Sequence, residues 1–291
     1  MSTKGVWALE VRAIKEYIAA EVIGVDLTDA IEAEMFAEFR MALYRHAVLV
    51  FRDQEITDKD QVRFSEGFGR LEMTIPSDPI GDGGPVGVVS NLDSQGEIIP
   101  PSDARSLYMQ ANRLWHSDGS FRRVPLKGSL LAAKCVPPSG GATEFASLVA
   151  PYAALPANRK KEIELLRAVH SLAYSREQVA PNLISSEFLR DTPPAEHPLV
   201  REVSETGEKA LLVGSYAGNV VGWPTAKGRI LLEELLAWCT QPHFVYRHEW
   251  QVHDIVVYDN RLCLHRGTAW DENKYKRVLH RTTLAWDEAS V

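Results

Sequence analysis

The C-terminal half of the chain alternates short apolar segments with turn-forming residues, and this pattern limits the folds it can adopt. The segments are rich in the β-branched and aromatic residues typical of strands. We predict strands at 126–136, 143–146, 169–174, 199–203, 210–213, 244–248, 255–258 and 278–285. Many short strands with few helices favour two packed sheets, so we predict a mainly β fold with flanking helices and a double-stranded β-helix (jelly roll) core.

The remaining segments predict the flanking helices and two Pro- and Gly-rich insertions. Further strands are predicted at 6–12, 21–27 and 47–51, and helices at 32–45, 57–68, 156–168 and 225–239. Residues 74–111 show little periodicity, and a long irregular segment within a compact domain is typical of a functional lid. We therefore expect a single domain over 1–291, with a lid-like insertion near 74–111 and a second insertion near 175–197.

Charge and cysteine content exclude several classes of partner. The net charge is −7 and there is no basic run, so we expect neither nucleic acid nor a membrane as a partner. The three cysteines are far apart and form no Cys-x-x-Cys pair, which excludes a zinc ribbon and fits a reducing compartment. No apolar run is long enough to span a membrane, and the first residues lack the apolar region of a signal peptide. We therefore expect a cytoplasmic protein.

The most informative motif is His116-Ser117-Asp118, which is followed far downstream by His265. Two histidines and one carboxylate can hold Fe(II) on one face and leave the other face open for reactants. If His116 and Asp118 lie on or just past a strand, their spacing directs both side chains to one side. His265 follows the predicted strand at 255–258, where rigid backbone would hold it. The alternative is a chance motif, because the chain has nine histidines and most histidines are not ligands.

The last predicted strand carries two arginines that strand alternation puts on one face, Arg277 and Arg281. A buried guanidinium is costly without an anion, and arginine suits bidentate capture of carboxylates. Two inward arginines near a metal therefore imply two anionic ligands, or one ligand and one internal carboxylate. The alternative is a pair of surface arginines on an edge strand. The turn at Gly140-Gly141 would bring the Thr143 hydroxyl to a carboxylate that arginine already holds.

Four ordered motifs extend over most of the chain. They are Asn112-x-x-Trp115-His116-x-Asp118, Pro137-Pro138-Ser139-Gly140-Gly141-x-Thr143-x-Phe145, Asp254-Ile255-x-x-Tyr258-Asp259-Asn260-Arg261-x-x-x-His265 and Arg277-x-x-x-Arg281. In this order they resemble the taurine/2,4-dichlorophenoxyacetate dioxygenase family, whose members are Fe(II)- and 2-oxoglutarate-dependent enzymes. The resemblance covers residues 20–287.

The resemblance implies a metal site and a cosubstrate site. His116, Asp118 and His265 would be the iron ligands. Thr143 and Arg277 would bind the distal carboxylate of 2-oxoglutarate, with O2 as the second cosubstrate. Catalysis would proceed through the iron centre, and no separate acid or base is assigned. Members of the family are usually oligomers, so a homo-oligomer is expected.

The resemblance also implies a substrate site. Arg281 would pair with the anionic end of the primary substrate, and Asn112 would line its pocket. In the taurine branch a His and a Tyr of the lid help to bind the sulfonate, whereas the matching stretch here has Thr74 and Ser77. The segments 111–118, 244–248 and 264–267 look closer to the 2,4-dichlorophenoxyacetate oxygenase branch.

The expected activity is hydroxylation of a small carboxylate, with an aryloxyacetate such as 2,4-dichlorophenoxyacetate as the first candidate. The ether would be cleaved to a phenol and glyoxylate, with release of succinate and CO2. The same chemistry on a sulfonate or on another aryl or alkyl acid is an alternative. Two alternatives come from other classes: a non-catalytic β-barrel that binds carboxylates, and a zinc hydrolase.

Overall fold

A computed structural model describes residues 9–74, 82–181, 183–184 and 186–286, with side chains omitted at 104 and 186–188. The predicted strand at 6–12 and the predicted insertions at 74–111 and 175–197 lie partly outside these residues. None of the described helices is long and apolar enough to cross a membrane.

The described chain is mostly β-sheet with some helices. Its strands are Glu10–Ala13 (β1), Ala20–Ile23 (β2), Val48–Phe51 (β3), Leu71–Glu72 (β4), Val86–Ser90 (β5), Leu126–Cys135 (β6), Thr143–Ser147 (β7), Arg167–His170 (β8), Ala195–Pro198 (β9), Val200–Val203 (β10), Glu208–Leu211 (β11), Ala217–Val220 (β12), Val245–His248 (β13), Ile255–Asp259 (β14), Cys263–Gly267 (β15) and Val278–Ala285 (β16). Its α-helices are Ala33–His46 (α1), Asp58–Glu66 (α2), Ala104–Gln110 (α3), Val149–Ala154 (α4), Ala157–Ile163 (α5), Leu172–Glu177 (α6), Ser186–Asp191 (α7) and Thr225–Cys239 (α8). The prediction of a mainly β fold with flanking helices is confirmed.

The largest sheet has the strand order β1-β2-β3-β14-β6-β16-β4, and β5 pairs with β16. Its neighbouring strands run antiparallel except β2 and β3, which are parallel. A second sheet has the order β13-β7-β15. Smaller sheets join β12, β8 and β9, and β10 with β11.

The central strands of the large sheet are buried on both faces. In β14, Val256 and Tyr258 contribute to an apolar core shared with the β13-β7-β15 sheet, which we call the inter-sheet core. The alternate residues Ile255 and Val257 contribute to a core shared with α1 and α2, which we call the helix-side core. A strand that is buried on both faces has a continuous apolar sequence, which explains why these strands can be predicted from the sequence.

The helix-side core is built around aromatic rings. Phe64 of α2 is 2% exposed. Its ring centroid lies 5.3 Å from those of Phe51 and Phe68 and 5.7 Å from that of Phe36. The predicted N-cap of α2, Thr57, is confirmed, because its side chain accepts a hydrogen bond from the Asp60 N–H. This packing covers the face of the large sheet to which Ile255 and Val257 belong.

Several predicted boundaries are wrong. The strand predicted at 169–174 ends at His170, since Ser171 caps α6 by accepting a hydrogen bond from the Tyr174 N–H at 3.2 Å. The helix predicted at 156–168 ends at Ile163, because 167–170 pairs with β12 and β9. The segment 74–111 is not wholly irregular, since β5 joins the large sheet and α3 precedes the His116 motif. Tertiary pairing overrides local pattern in these places.

Phe64→Ala is expected to lower the free energy of unfolding by about 3–5 kcal/mol, because it removes a fully buried ring from the helix-side core. Urea unfolding followed by circular dichroism measures the loss. Met41→Ala is the control, because Met41 lies on α1 but is 61% exposed. A loss below about 1 kcal/mol for Phe64→Ala would contradict the packing described for this core.

Candidate metal centre

The two histidines that the sequence singles out lie side by side. The His116 N–H donates to the His265 carbonyl at 3.0 Å, and the His265 N–H donates to the His116 carbonyl at 2.8 Å. This antiparallel bridge brings the ring centroids to 4.1 Å. His265 does not lie at the end of the strand predicted at 255–258. It lies in the middle of a separate strand, β15, opposite Phe145 of β7.

Asp118 is held beside the two histidines by its neighbours. Its backbone N–H donates to Asn260 Oδ1 at 3.0 Å. Its Oδ2 accepts hydrogen bonds from the Tyr258 hydroxyl at 3.0 Å and from Ser129 Oγ at 3.1 Å. Arg281 Nη1 lies 3.6 Å from Oδ1. These contacts fix the orientation of the carboxylate.

The three side chains form a compact and buried group. One ligand atom from each of His116, Asp118 and His265 lies within 4.8 Å of the other two. The exposed fraction of these residues is 5–6%. His116 Nδ1 lies 2.7 Å from the Leu114 carbonyl, which can only accept, so Nδ1 carries the proton and Nε2 keeps its lone pair. That Nε2 lies 3.7 Å from Asp118 Oδ1, so the unprotonated nitrogen is the one next to the carboxylate.

Burial sets the charge state of the group. Burial lowers the pKa of His265 to about 3, and it also lowers the pKa of His116. Burial opposes ionisation of Asp118, but His265, Arg281 and His116 outweigh it and hold the pKa of that carboxyl well below its usual range. At neutral pH the group thus consists of two neutral imidazoles and one carboxylate. A divalent metal needs its ligands in this protonation state, so the donor set fits Fe(II).

Arg277 directly precedes β16 and Arg281 lies within it, and both line the same cavity, as strand alternation predicts. Arg277 is 6% exposed, and burial lowers its pKa to about 10. Its Nε donates to the Gly141 carbonyl at 2.9 Å, and its Nη2 donates to Thr143 Oγ1 at 3.4 Å. Arg281 is more accessible, with 21% of its side chain exposed. The alternative of two surface arginines is wrong for Arg277.

One cavity is lined by six of the seven predicted site residues, and Asp118 is the one that does not line it. Its volume is about 60 Å³, and it lies between the large sheet and the β13-β7-β15 sheet. The predicted residues in its wall are Asn112, His116, Thr143, His265, Arg277 and Arg281. The structure thus groups residues that are as much as 169 positions apart in the sequence, from Asn112 to Arg281.

Thr74 and Ser77 stand at the two positions where the sequence departs from the taurine pattern. Thr74 Oγ1 donates to the Gly84 carbonyl at 2.8 Å and accepts from the Gly83 N–H at 3.0 Å, so its hydroxyl is occupied locally. Ser77 lies outside the described residues.

Sequence reasoning missed four residues that shape the site. Tyr258 and Ser129 face each other across β14 and β6, and both donate to Asp118. Asn260 fixes the backbone of the same segment, and Trp250 donates to Thr143 Oγ1 at 2.9 Å. Tyr258 and Asn260 stand in one of the four motifs, but the sequence assigned them no role. For Ser129 the signal was a hydroxyl next to the apolar residues of β6, since burial of a hydroxyl requires a partner.

Comparison with known proteins places these features in a family. Residues 10–283 match the model of the family described as "Taurine catabolism dioxygenase TauD, TfdA family". The chain is 39% identical to an alpha-ketoglutarate-dependent 2,4-dichlorophenoxyacetate dioxygenase from Cupriavidus pinatubonensis, over 94% of this chain and 96% of the relative. It is 33% identical to a (S)-phenoxypropionate/alpha-ketoglutarate-dioxygenase from Sphingobium herbicidovorans, over 97% of each.

A solved structure is similar over nearly the whole fold. The crystal structure of AAD-2 in complex with Mn(II) and N-oxalylglycine has a TM-score of 0.89 and 37% sequence identity. The likeness covers 97% of this chain and 98% of that one.

The predicted reaction class is confirmed by these likenesses together with the buried His-Asp-His group. The protein is a 2-oxoglutarate-dependent non-haem iron dioxygenase, and its cofactors are Fe(II), 2-oxoglutarate and O2. With a family match that extends from residue 10 to residue 283, this chain belongs to the taurine catabolism dioxygenase TauD, TfdA family.

Proposed function

We propose that this dioxygenase hydroxylates a small aryloxyacetate, such as 2,4-dichlorophenoxyacetate, at a carbon held beside Fe(II). One observation carries the proposal: both histidines of the His-Asp-His group line one cavity together with Arg277 and Arg281. The buried guanidinium of Arg277 is costly without an anion, and the reaction provides carboxylates on both the cosubstrate and the substrate.

His116, Asp118 and His265 would hold the metal. One ligand atom from each lies within 4.8 Å of the other two, and both histidines line the cavity, which would be left for reactants. When bound, the metal supplies the activation of O2 that neither a side chain nor 2-oxoglutarate provides. Tyr258 and Ser129 keep Asp118 ionised and oriented, because each donates a hydrogen bond to its Oδ2.

Arg277 and Thr143 would bind the distal carboxylate of 2-oxoglutarate. The guanidinium is buried, its pKa is lowered by burial, and its Nη2 and the threonine hydroxyl converge within 3.4 Å. A carboxylate in that position would compensate for the positive charge of the buried Arg277 guanidinium. N-oxalylglycine, which is bound in the similar AAD-2 structure, has the same two carboxylates at the same spacing as 2-oxoglutarate.

Arg281 would pair with the carboxylate of the substrate, and Asn112 would line the same space. The Arg281 guanidinium lies 3.6 Å from Asp118 Oδ1, so an anion that it holds is placed next to the metal group. Fixing the carboxylate fixes the adjacent carbon, and accurate placement of a reacting atom is a large part of catalysis. Exclusion of water by the segment near 74–111, which we propose to be a lid, would protect the reaction from side reactions.

The overall reaction balances without a further reactant. 2-Oxoglutarate and O2 give succinate and CO2, and the second oxygen atom is inserted into the C–H bond between the ether oxygen and the carboxylate. The product is a hemiacetal, which collapses to a phenol and glyoxylate when the ether oxygen leaves with the hydroxyl proton.

A carboxylate at the end of an aryloxy group is favoured over a sulfonate for two reasons. The similar proteins from Cupriavidus and Sphingobium carry the names of phenoxy-acid dioxygenases. Thr74, at a position where the taurine branch has a sulfonate-binding residue, already uses its hydroxyl on Gly83 and Gly84. The same chemistry on a sulfonate or on another aryl or alkyl acid is the second candidate.

We further propose that the core is a double-stranded β-helix within a single domain over 1–291, and that the protein is a cytoplasmic homo-oligomer. Two mainly antiparallel sheets that share the inter-sheet core around the cavity support a double-stranded β-helix.

Three free cysteines support a reducing compartment.

Asp118→Ala is expected to abolish turnover and to weaken metal binding by at least ~100-fold, because it removes the only charged ligand of the group. Titration of Mn(II) into the protein measures the affinity, and succinate release measures turnover. Glu234→Ala is the control, since that carboxylate has 58% of its side chain exposed on α8. Full activity in Asp118→Ala would rule out the ligand assignment.

Arg281→Ala is expected to raise the KM for the substrate by ~10–100-fold with little change in 2-oxoglutarate affinity, since a charge-assisted contact is lost. Arg277→Ala is expected to do the reverse, so each variant controls for the other. Metal affinity is measured in both variants, because Arg281 also contacts Asp118. If Arg281→Ala instead abolishes 2-oxoglutarate binding, the two arginines have been assigned in the wrong order.

A panel of aryloxyalkanoates, aryl acids and alkyl sulfonates tests the substrate class. Substrate-dependent succinate release is expected with aryloxyacetates and is expected to be weak with sulfonates. Turnover confined to sulfonates would reject the aryloxyacetate proposal while leaving the reaction class intact.

A further inference from the structure

The hydroxyl of Thr143 receives two hydrogen bonds from the protein. Trp250 Nε1–H donates to Thr143 Oγ1 at 2.9 Å. Arg277 Nη2–H donates to the same atom at 3.4 Å. Thr143 is 3% exposed, and it lines the cavity that also contains the two histidines.

These two contacts limit the further hydrogen bonds that the Thr143 hydroxyl can form. A threonine hydroxyl has two acceptor lone pairs and one proton to donate. The indole and the guanidinium occupy both lone pairs, and within the described residues no hydrogen bond uses the proton. The hydroxyl is therefore left as a donor only, with the cavity as the place where its acceptor must lie.

Trp250 is itself held in place by a buried polar network. The ring of His248 packs edge-on against the indole, with centroids 4.4 Å apart. His248 is fixed at both nitrogens, with the Tyr246 hydroxyl 2.8 Å from Nδ1 and Asp254 Oδ2 3.1 Å from Nε2. Asp254 also pairs with Arg52. The position of the indole N–H is thus determined by the fold and not by a ligand.

We propose that Trp250 is a positioning residue for the cosubstrate: it makes the Thr143 hydroxyl an obligate donor to the distal carboxylate of 2-oxoglutarate. The proposal rests on the proposed function, in which Thr143 and Arg277 hold that carboxylate. Trp250 does not contact the cosubstrate itself; it acts through the hydroxyl.

Loss of the indole N–H has a specific consequence. With one lone pair free, the hydroxyl gains alternative orientations in which it no longer points its proton into the cavity. A carboxylate must then select one of several orientations, so its affinity falls. Metal binding and the reacting atoms are not touched, so the turnover rate at saturating 2-oxoglutarate is retained.

Binding of N-oxalylglycine and 2-oxoglutarate to the Mn(II)-loaded protein, measured by calorimetry, tests the role of Trp250. Trp250→Phe is expected to weaken both ligands by ~3–10-fold, the range of one hydrogen bond. The kcat at saturating 2-oxoglutarate is expected to stay within about twofold of the parent protein, since chemistry is not affected. Trp238→Phe is the matched control, because its indole also donates to one internal acceptor, the Pro151 carbonyl, at 2.9 Å.

A double-mutant cycle separates positioning from packing. In a Thr143→Ala background the hydroxyl is absent, so Trp250→Phe is expected to cause no further loss of affinity. In a Thr143→Ser background the hydroxyl remains, so the loss is expected to persist. A packing role predicts the same loss in all three backgrounds, and that result overturns the proposal.

The outcomes distinguish this inference from the proposed function. If neither Thr143→Ala nor Arg277→Ala weakens N-oxalylglycine, the proposed cosubstrate site is wrong. If Thr143→Ala weakens it and Trp250→Phe does not, only the role of Trp250 is wrong. Should Trp250→Phe fail to fold by circular dichroism, benzothienylalanine at position 250 keeps the ring shape and lacks the N–H, and the same loss is expected.

Discussion

The backbone bridge between His116 and His265 is the contact on which the site depends. It joins two segments far apart in the chain through reciprocal hydrogen bonds of 3.0 and 2.8 Å. One bridge places both imidazoles and, through the i+2 spacing, the Asp118 carboxylate. The bridge is stable because His265 lies inside β15, which pairs along its length with β7. A rigid strand therefore fixes a buried group whose geometry must be accurate for metal binding.

Burial of charge is the second constraint, and it links the metal group to the ligands around it. Neutral imidazoles, an ionised Asp118 and a desolvated Arg277 occur together because the cavity lies between two sheets. Such charges are costly unless hydrogen bonds and anions compensate for them. Tyr258 and Ser129 compensate for the buried charge of Asp118 by donating hydrogen bonds to it. In our proposal a carboxylate of 2-oxoglutarate binds to Arg277 and Thr143 and compensates for the charge of the guanidinium.

The sequence predicts much of this because its strongest signals are local. Strands buried on both faces, such as β3 and β14, are apolar runs, and alternation from Arg277 into β16 correctly puts Arg277 and Arg281 on one side. The parts that were missed depend on non-local pairing. β15 mixes polar and apolar residues and is defined by its pairing with β7. The partners of Asp118 and Thr143 come from segments that only the fold brings near. No periodicity in the chain carries that information.

We propose that the His-Asp-His group couples decarboxylation of 2-oxoglutarate to oxidation of an aryloxyacetate, and turnover under 18O2 with mass spectrometry of the products tests this coupling. We expect one labelled oxygen in the succinate and one succinate for each phenol released, with no phenol in the absence of O2 or 2-oxoglutarate. Phenol released without O2, or together with unlabelled succinate, would contradict it and would point to hydrolysis instead.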